Sequence, residues 1–316
     1  MPSAHTVLGE VPVEKLGITM PHEHIVLSYG GAKSDAPGYN VKALADEVCK
    51  DLGQAVRAYG VGTVVDAGPT ELGRDVAVQR EVARRLGVNI IAGTGFYRFT
   101  SGVPLVWQSA EIDTLADYVT REITEGVGPD RVKCGVIKLA SSDEKIGPVE
   151  EKLFRAAARA SKQTGCPIIT HSDPSGWAVT NVGKLQLDIL LSEGADPSRI
   201  MLGHICGTPN LNYLIELVKR GCSVAFDRVG SQRIVPDEVR AGLVAGLCAA
   251  GYASNVMLSL DHQGVWFPQR SPATAANTKH FGYLFQSFVP RLRAGGVSDR
   301  DIEQMTVVNP RNLLGF

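Results

Sequence analysis

A set of side chains able to bind metal ions or transfer protons stands inside or at the end of short apolar runs of the sequence. Four imidazoles and one carboxylate in this set are ligands that suit Zn²⁺, Co²⁺, Mn²⁺ or Fe²⁺. They are too many for one hydrolytic zinc ion and suit two ions, so the set predicts a binuclear centre with zinc as the expected metal. Its members are His22, His24, Lys138, His171, His204 and Asp261.

His22 and His24 form an HxH pair around Glu23. In an extended segment, residues i and i+2 project to the same side, so both imidazoles can face one metal ion while Glu23 turns away. An HxH pair alone is a common accident, and a lone histidine at a strand end is as often structural. The convergence of five strand ends favours a metal centre over these explanations.

Lys138 lies inside an apolar run, where removing an ammonium group from water is costly. A buried lysine with a depressed pKa can react with CO₂ to form a carbamate, which is anionic and offers two oxygens to bridge two metal ions. The alternative is an unmodified lysine held by salt bridges, which leaves the second metal ion short of ligands.

The elements that would position these residues alternate along the chain. Apolar, β-branched runs predict strands, and the amphipathic stretches between them predict helices. The predicted strands cover 17–20, 63–66, 89–93, 132–139, 167–171, 200–204, 223–227 and 255–261. The predicted helices cover 41–59, 75–86, 112–125, 148–164, 181–193, 210–220, 236–250, 274–294 and 299–314.

This alternation predicts an α/β fold, namely a single (β/α)₈ TIM barrel domain over residues 1–316. Strands that are apolar throughout are typical of a parallel sheet buried on both faces. An open doubly wound sheet uses the same alternation and is the structural alternative. We also expect a short β-hairpin over residues 6–16 and an extra C-terminal helix. In a barrel, the carboxyl ends of the strands form the active-site face.

The composition excludes several classes of protein. The chain has 32 Lys and Arg against 33 Asp and Glu, without the basic excess of a nucleic-acid binder. No uncharged run approaches the ~18 apolar residues of a membrane span, and no signal peptide is visible. The six cysteines are scattered without a CxxC pair, which predicts reduced thiols in a cytoplasmic protein.

Nearly from end to end, the sequence resembles the phosphotriesterase family of the amidohydrolase superfamily, and most of all its phosphotriesterase-like lactonases. The resemblance implies that the HxH histidines and Asp261 hold the more buried metal ion. It implies that His171 and His204 hold the more exposed ion, and that carboxylated Lys138 and a hydroxide bridge the two. A homodimer is the family's usual assembly, with the loops after the first and third strands as candidate interface elements.

The lactonase branch is indicated by Tyr97 after the third strand, by Arg228 after the seventh, and by the short stretch from Arg228 to Asp261. The resemblance implies attack of the bridging hydroxide on N-acyl homoserine lactones or γ/δ-lactones. Asp261 would transfer the proton, Tyr97 would assist at the developing oxyanion, and Arg228 would orient the substrate. Slower hydrolysis of phosphotriesters is expected from the same site.

The eighth loop departs from the family pattern, because His262 rather than an aromatic residue follows Asp261. We expect His262 to lie behind the ligands, and Trp266 and Phe267 either to wall an acyl groove or to pack the loop. Cys206, two residues past His204, is the weakest candidate for contact with a metal ion. The loop leaves the substrate open between lactones, organophosphates and other esters or amides.

Two further alternatives belong to other classes of protein. A metal-dependent deoxyribonuclease on the same barrel also uses an HxH pair, but it should lack Lys138 and show a basic mouth. A non-catalytic protein with a structural metal ion would have little reason to keep every ligand type. We therefore expect a small-molecule lactone or organophosphate as partner, and neither nucleic acid nor a membrane.

Overall fold

The protein is built around one sheet of nine parallel strands and a small antiparallel hairpin. The computed structural model describes residues 2–28, 36–142, 145–172, 181–232, 235–268 and 279–316. The hairpin strands are β1 (Ser3–Thr6) and β2 (Gly9–Pro12). The sheet contains β3 (Ile18–Leu27), β4 (Val61–Asp66), β5 (Asn89–Gly95), β6 (Val136–Ala140), β7 (Ile168–His171), β8 (Ile200–Leu202), β9 (Ser223–Phe226), β10 (Val256–Leu258) and β11 (Gln263–Trp266).

The strands β3 to β10 lie side by side in chain order, and β11 closes the ring by pairing with β3. Strands β10 and β11 are two halves of the eighth barrel strand, interrupted at Asp261, whose φ is +53°. At the interruption the Asp261 backbone N–H donates to the carbonyl oxygen of His22 at 3.1 Å. The predicted (β/α)₈ barrel is therefore confirmed, with a break in its last strand.

Helices cover the outside of the barrel and connect successive strands. The first begins at Asn40, whose side chain accepts from the Ala43 N–H, and ends at Gly60 in the left-handed conformation. The helices are α1 (Val41–Tyr59), α2 (Val76–Leu86), α3 (Leu105–Ser109), α4 (Ile112–Thr124), α5 (Pro148–Thr164), α6 (Val182–Ser192), α7 (Leu211–Val218), α8 (Asp237–Ala249), α9 (Val289–Ala294), α10 (Asp299–Glu303) and α11 (Asn309–Leu314).

The two last predicted helices differ from the structure in detail. The start of the predicted helix over 274–294 lies outside the described residues, and its later part contains a π-helical turn, Leu284–Phe288, before α9. The helix predicted over 299–314 is divided by a second π-helical turn, Gln304–Val308, between α10 and α11. Among the described residues, no helix combines the length and apolar character needed to cross a bilayer.

Three strand boundaries were predicted wrongly. The first strand does not end at Met20 but runs to Leu27, so the HxH pair lies within it, beside a register shift between Met20 and Glu23. The fourth strand begins at Val136 because Val132 pairs with Val127 in an isolated antiparallel bridge. The sixth strand ends before His204.

The amino-terminal end of the barrel is filled with apolar side chains. The strands contribute inward-facing residues, and the hairpin segment and α11 cover them from below. The predicted hairpin over 6–16 is thus shifted, because Ser3–Thr6 pairs with Gly9–Pro12. This lower cluster contains Ala4, Val13, Leu16, Val65, Ile91, Val136, Ile169, Met201, Ala225, Met257, Leu313 and Leu314.

Candidate metal centre

Strand alternation carries polar groups from the apolar lower cluster to the carboxyl end of the barrel. Val136 and Ile169 belong to that cluster, and two residues further along the same strands stand Lys138 and His171. Both side chains therefore project into the barrel interior, where both are buried. Gly95, with φ of +98°, leaves room for this arrangement, since a Cβ there would lie 2.1 Å from the Lys138 carbonyl oxygen.

The HxH histidines and Asp261 come together across the closure of the barrel. Asp261 Oδ1 lies 3.3 Å from His24 Nε2 and 3.9 Å from His22 Nε2. The three residues offer ligand atoms all within 4.8 Å of one another. Two imidazole nitrogens and a carboxylate oxygen at this spacing are a donor set suited to zinc or a similar divalent cation.

Lys138 joins this group directly. Its Nζ lies 2.6 Å from His22 Nε2, and the side chain is fully buried. Burial lowers the pKa of Lys138 from the usual 10.5 to about 8. A larger share of the amine is therefore neutral near neutral pH than for an exposed lysine, and this amine contacts a nitrogen that is itself a candidate ligand.

His171 and His204 form a second group beside the first. Their rings meet edge to face, with centroids 4.4 Å apart. In the described part of the chain, the Nε2 atoms of both are buried without a hydrogen-bond partner. A nitrogen that serves as a ligand of a metal ion is left without a hydrogen-bond partner in this way. Burial lowers the pKa of His171 well below its usual value and, with the Arg228 charge, lowers that of His204 to about 3.

His204 reaches this position through an unusual backbone conformation. Its φ is +60°, in the left-handed region that non-glycine residues rarely adopt. The His204 N–H donates to Asp227 Oδ1 at 2.9 Å, and Nδ1 of the same residue lies 3.0 Å from that oxygen. Asp227 thus fixes both the turn and the imidazole.

Asp227 is a functional residue that sequence reasoning missed. Its carboxylate is fully buried, and while Oδ1 contacts His204, Oδ2 lies 2.6 Å from His22 Nδ1. Burial alone would raise the pKa of Asp227, but His204 and His22 hold it well below its usual range. Its position directly after strand β9, in register with inward-facing Ala225, is the signal that would have found it.

His22, His204 and Asp227 also form a second possible metal-binding group. The distances of 2.6 and 3.0 Å between the carboxylate and the two Nδ1 atoms are those of charge-assisted hydrogen bonds. A carboxylate that accepts from Nδ1 leaves Nε2 unprotonated and aimed inward, which is the usual arrangement behind metal-binding histidines. We therefore assign Asp227 to orientation of the ligands.

His24 has its own carboxylate behind it. Asp66 Oδ1 lies 3.7 Å from His24 Nδ1, and Asp66 Oδ2 accepts from the Ile25 N–H and the Gln79 amide. Burial lowers the pKa of His24, but Asp261 and Asp66 more than offset this and raise it to about 9. In the metal-free protein His24 is therefore protonated and lies between the carboxylates of Asp261 and Asp66.

Tyr97 and Arg228 lie at the edge of this group. The Tyr97 ring meets the His171 ring edge to face, with centroids 5.1 Å apart. Arg228 Nε lies 3.7 Å from Asp261 Oδ2. Tyr97 also belongs to an apolar mouth cluster, defined by Leu27, Leu72, Tyr97, Ala140 and Trp266.

The eighth-loop residues divide between two surroundings. His262 turns outward, where its Nε2 lies 2.8 Å from Asp51 Oδ2 of α1. Trp266 packs against the mouth cluster, whereas the Phe267 ring lies 5.8 Å from that of Tyr39. The remaining candidate, Cys206, has its Sγ 4.0 Å from Asp227 Oδ1.

The residues fit a pair of divalent metal ions. Neutral imidazoles with unpartnered Nε2 atoms, an ionised carboxylate and a lysine of lowered pKa form a donor set that an apolar interior would not otherwise accommodate. His22, His24 and Asp261 would hold one ion, His171 and His204 the other, and carboxylated Lys138 would be shared between them. This division of ligands stays a prediction.

Replacement of Asp227 by asparagine should weaken metal binding about 10- to 100-fold. An asparagine turns its NH₂ group toward one of the two Nδ1 atoms, so that imidazole must carry its proton on Nε2 instead. Metal content after dialysis against a competing chelator measures the effect. Asp113→Asn, which alters an exposed partner of Arg159, is the control, and equal metal retention by both variants would contradict the assignment.

Metal affinity should rise with pH between 7 and 9. Lys138, with a pKa of about 8, and His24, with a pKa of about 9, must both lose a proton to act as ligands. Each such proton contributes up to about tenfold in affinity per pH unit below its pKa. Chelator competition at pH 7, 8 and 9 with a fixed bicarbonate concentration tests this, and a flat profile would refute it.

Known proteins resemble this chain over its whole length. Residues 2–314 match the phosphotriesterase family. The chain is 31% identical over 313 residues to an aryldialkylphosphatase of Saccharolobus solfataricus, covering 96% of this chain and 98% of that protein. It is also 31% identical over 338 residues to a phospho-furanose lactonase of Mycoplasmopsis synoviae, covering 99% of this chain and 92% of that protein.

Two solved structures from Deinococcus radiodurans have the same fold. A mutant of a PTE-like lactonase has a TM-score of 0.90 and 35% identity, covering 99% of this chain and 100% of the other. An organophosphorus hydrolase from that organism has a TM-score of 0.90 and 35% identity, covering 99% of this chain and 97% of the other. These matches confirm the resemblance inferred from the motifs: the chain is a hydrolase of the phosphotriesterase family.

Proposed function

We propose that the protein is a binuclear metal-dependent hydrolase that opens lactones, specifically N-acyl homoserine lactones or simple γ- and δ-lactones. The observation that carries this proposal is the convergence of four histidines, Lys138 and Asp261 at the carboxyl end of the barrel, beside Tyr97 and Arg228. The ions are proposed to be Zn²⁺, with Co²⁺, Mn²⁺ or Fe²⁺ able to use the same ligands. When bound, such ions lower the pKa of a water molecule and polarise an ester carbonyl.

Lys138 is proposed to carry a carboxyl group. The neutral Nζ attacks the carbon of CO₂, an N–C bond forms, and the proton that the nitrogen loses goes to water. The product is an anionic carbamate with two oxygens, which replaces a buried amine with a bridging ligand. The lowered pKa of Lys138 supports this step, because only the unprotonated amine reacts.

The chain's own residues account for proton transfer and substrate orientation. Interactions with His204, His24 and His22 hold the pKa of Asp261 well below its usual value against the effect of burial. This ionised carboxylate is placed to take a proton from the attacking water and deliver it to the leaving alkoxide. Arg228, 3.7 Å from it, is placed to orient the lactone, and Tyr97 to donate toward the developing oxyanion.

The apolar mouth cluster supports an acylated or alkyl-substituted lactone. Leu27, Leu72, Tyr97 and Ala140 are buried together, and Trp266 packs against them. An alkyl chain placed along this surface would be removed from water at a gain of about 25 cal/mol per Å² of apolar area.

Phosphotriester hydrolysis is the second candidate activity. It is favoured by the names of two relatives, an aryldialkylphosphatase and an organophosphorus hydrolase. A tetrahedral phosphoryl centre resembles the tetrahedral intermediate of lactone opening, so one site can accept both. We propose that it is the slower activity here.

A homodimer in the cytoplasm is proposed as the working form. Three of the five exposed large apolar side chains in the described ranges, Phe99, Leu105 and Val106, lie in the segment after β5, and they are 45%, 79% and 68% exposed. Exposed apolar patches of this kind mark interaction surfaces. The other candidate element, the loop after the first strand, includes residues outside the described ranges. The six free cysteines support a reducing compartment.

The kcat/KM of the enzyme for lactones should exceed its kcat/KM for an aryl dialkyl phosphotriester by ~100-fold or more. This ratio is equivalent to roughly 3 kcal/mol of preferential transition-state binding. A pH-indicator assay on metal-loaded protein with a lactone series measures this ratio. Arg228→Met should lower the lactone value with metal content unchanged, whereas Lys138→Ala should lose metal and turnover together. A larger value for the phosphotriester, or no turnover with two metal ions bound, would overturn the lactonase proposal.

The double variant Leu105→Glu/Val106→Glu should be monomeric at micromolar concentration, while the unaltered chain is dimeric. Two carboxylates in the interface must be stripped of water without partners. Size-exclusion chromatography with light scattering gives the masses. Leu185→Glu, at an exposed apolar position on α6, is the control, and a monomeric unaltered chain or a dimeric double variant would argue against this interface.

A further inference from the structure

The backbone on either side of Asp261 is held by two buried charged side chains that do not themselves face the metal ligands. Leu260 lies between them. Its N–H donates to Glu23 Oε1 at 2.8 Å, and its carbonyl oxygen accepts from Lys279 Nζ at 2.7 Å. Both polar groups of this residue are therefore bonded to charged side chains immediately before the metal-ligand candidate.

Glu23 supplies the first side of this arrangement. It stands between His22 and His24 on β3, and strand alternation turns its side chain toward β10 and β11. Besides Leu260, it accepts from the Ser259 hydroxyl at 2.7 Å and from the His262 N–H at 2.7 Å. The middle residue of the HxH motif thus binds the residues before and after Asp261.

Lys279 supplies the second side. It follows the eighth loop, and its Nζ also donates to the Ser231 hydroxyl at 2.9 Å. Gly230, with φ of +83°, accommodates its aliphatic stem, because a Cβ there would lie 2.7 Å from the Lys279 Cδ. The lysine therefore joins the end of the eighth loop to the seventh loop and to the peptide that precedes Asp261.

The buried Glu23 and Lys279 side chains are each bonded to several polar groups, which offsets part of the cost of burial. Glu23 is fully buried and Lys279 is 7% exposed. Burial raises the pKa of Glu23, and the three donors and the Lys279 charge limit that rise. The charged groups that act on Lys279 are Asp261 and Glu23, which favour its ammonium form, and Arg228 and Arg240, which oppose it.

The conformation of Asp261 requires such support. At φ of +53° Asp261 lies in the left-handed region, which non-glycine residues adopt mainly where their surroundings determine it. The N–H groups of residues 260 and 262 donate to the Glu23 carboxylate, and that of residue 261 donates to the His22 carbonyl oxygen. All three acceptors belong to β3. Two carbonyl groups here are bonded outside β3, that of Leu260 to Lys279 Nζ and that of Asp261 to the side-chain amide of Gln263.

We propose that Glu23 and Lys279 form a clamp on Leu260 that sets the Asp261 carboxylate for metal binding before the metal ion arrives. Lys279 is in this sense a positioning residue, acting on the metal centre through one peptide group. The inference rests on the metal-ligand set of the proposed function and not on its substrate. It gives a reason for the burial of Lys279 beside the Leu260 carbonyl oxygen.

Metal affinity of stripped protein tests the clamp. Lys279→Met keeps the aliphatic stem and removes the donor, and it should weaken Zn²⁺ affinity at least about tenfold in chelator competition. Lys279→Arg retains donors toward Leu260 and Ser231 and should restore affinity to within about threefold. Lys184→Met, which removes an exposed lysine paired with Glu216, is the matched control and should bind as the unaltered chain does.

A measurement on the unaltered chain covers the case in which Lys279→Met fails to fold. In metal-free protein, hydrogen exchange of the Leu260 and His262 amides should be slow, because the clamp exists without metal. Exchange as fast as in the exposed segment 99–110 would overturn the proposal, as would metal affinity of folded Lys279→Met equal to that of the unaltered chain. Failure of the unaltered chain to bind two metal ions would instead refute the proposed function.

Discussion

The cost of burying ionisable groups at one end of an apolar barrel governs the structure of this site. The buried carboxylates there have partners that offset their desolvation. Asp227 lies between the Nδ1 atoms of His22 and His204, and Asp66 lies behind His24. The buried nitrogens without partners in the described residues include the Nε2 atoms of His171 and His204, which are candidate ligands. These two nitrogens are the atoms of the candidate site that a metal ion would satisfy.

The candidate metal ligands come together where the eighth barrel strand meets β3 and closes the barrel. The eighth barrel strand pairs with β9 before its break and with β3 after it, and the break is where Asp261 turns inward. Because Glu23 holds this break from within the HxH motif, one strand supplies two ligand candidates on one face and the support for a third on the other. Mutations that loosen the closure should therefore affect metal binding before they affect the outer helices.

The residues proposed to contact the substrate are different from those that form the candidate metal centre. The candidate metal ligands lie on strands or directly after them, whereas Tyr97 and Arg228 lie where loops begin and Trp266 is the last residue of β11. A loop can change without disturbing the buried hydrogen bonds beneath it. This separation explains how relatives named as lactonases and as organophosphate hydrolases share the fold.

Local periodicity determined much of this protein from the sequence alone. Apolar runs and amphipathic stretches specify the barrel, and two-residue alternation places Lys138 and His171 inside it. Alternation cannot reveal which groups meet across the barrel, since His22 and Asp227 are 205 residues apart. Nor could it show that His204 turns inward through a left-handed backbone, or that Glu23 and Lys279 meet on Leu260. Those contacts depend on the closure of the sheet, which brings distant strands together, and only the tertiary structure decided them.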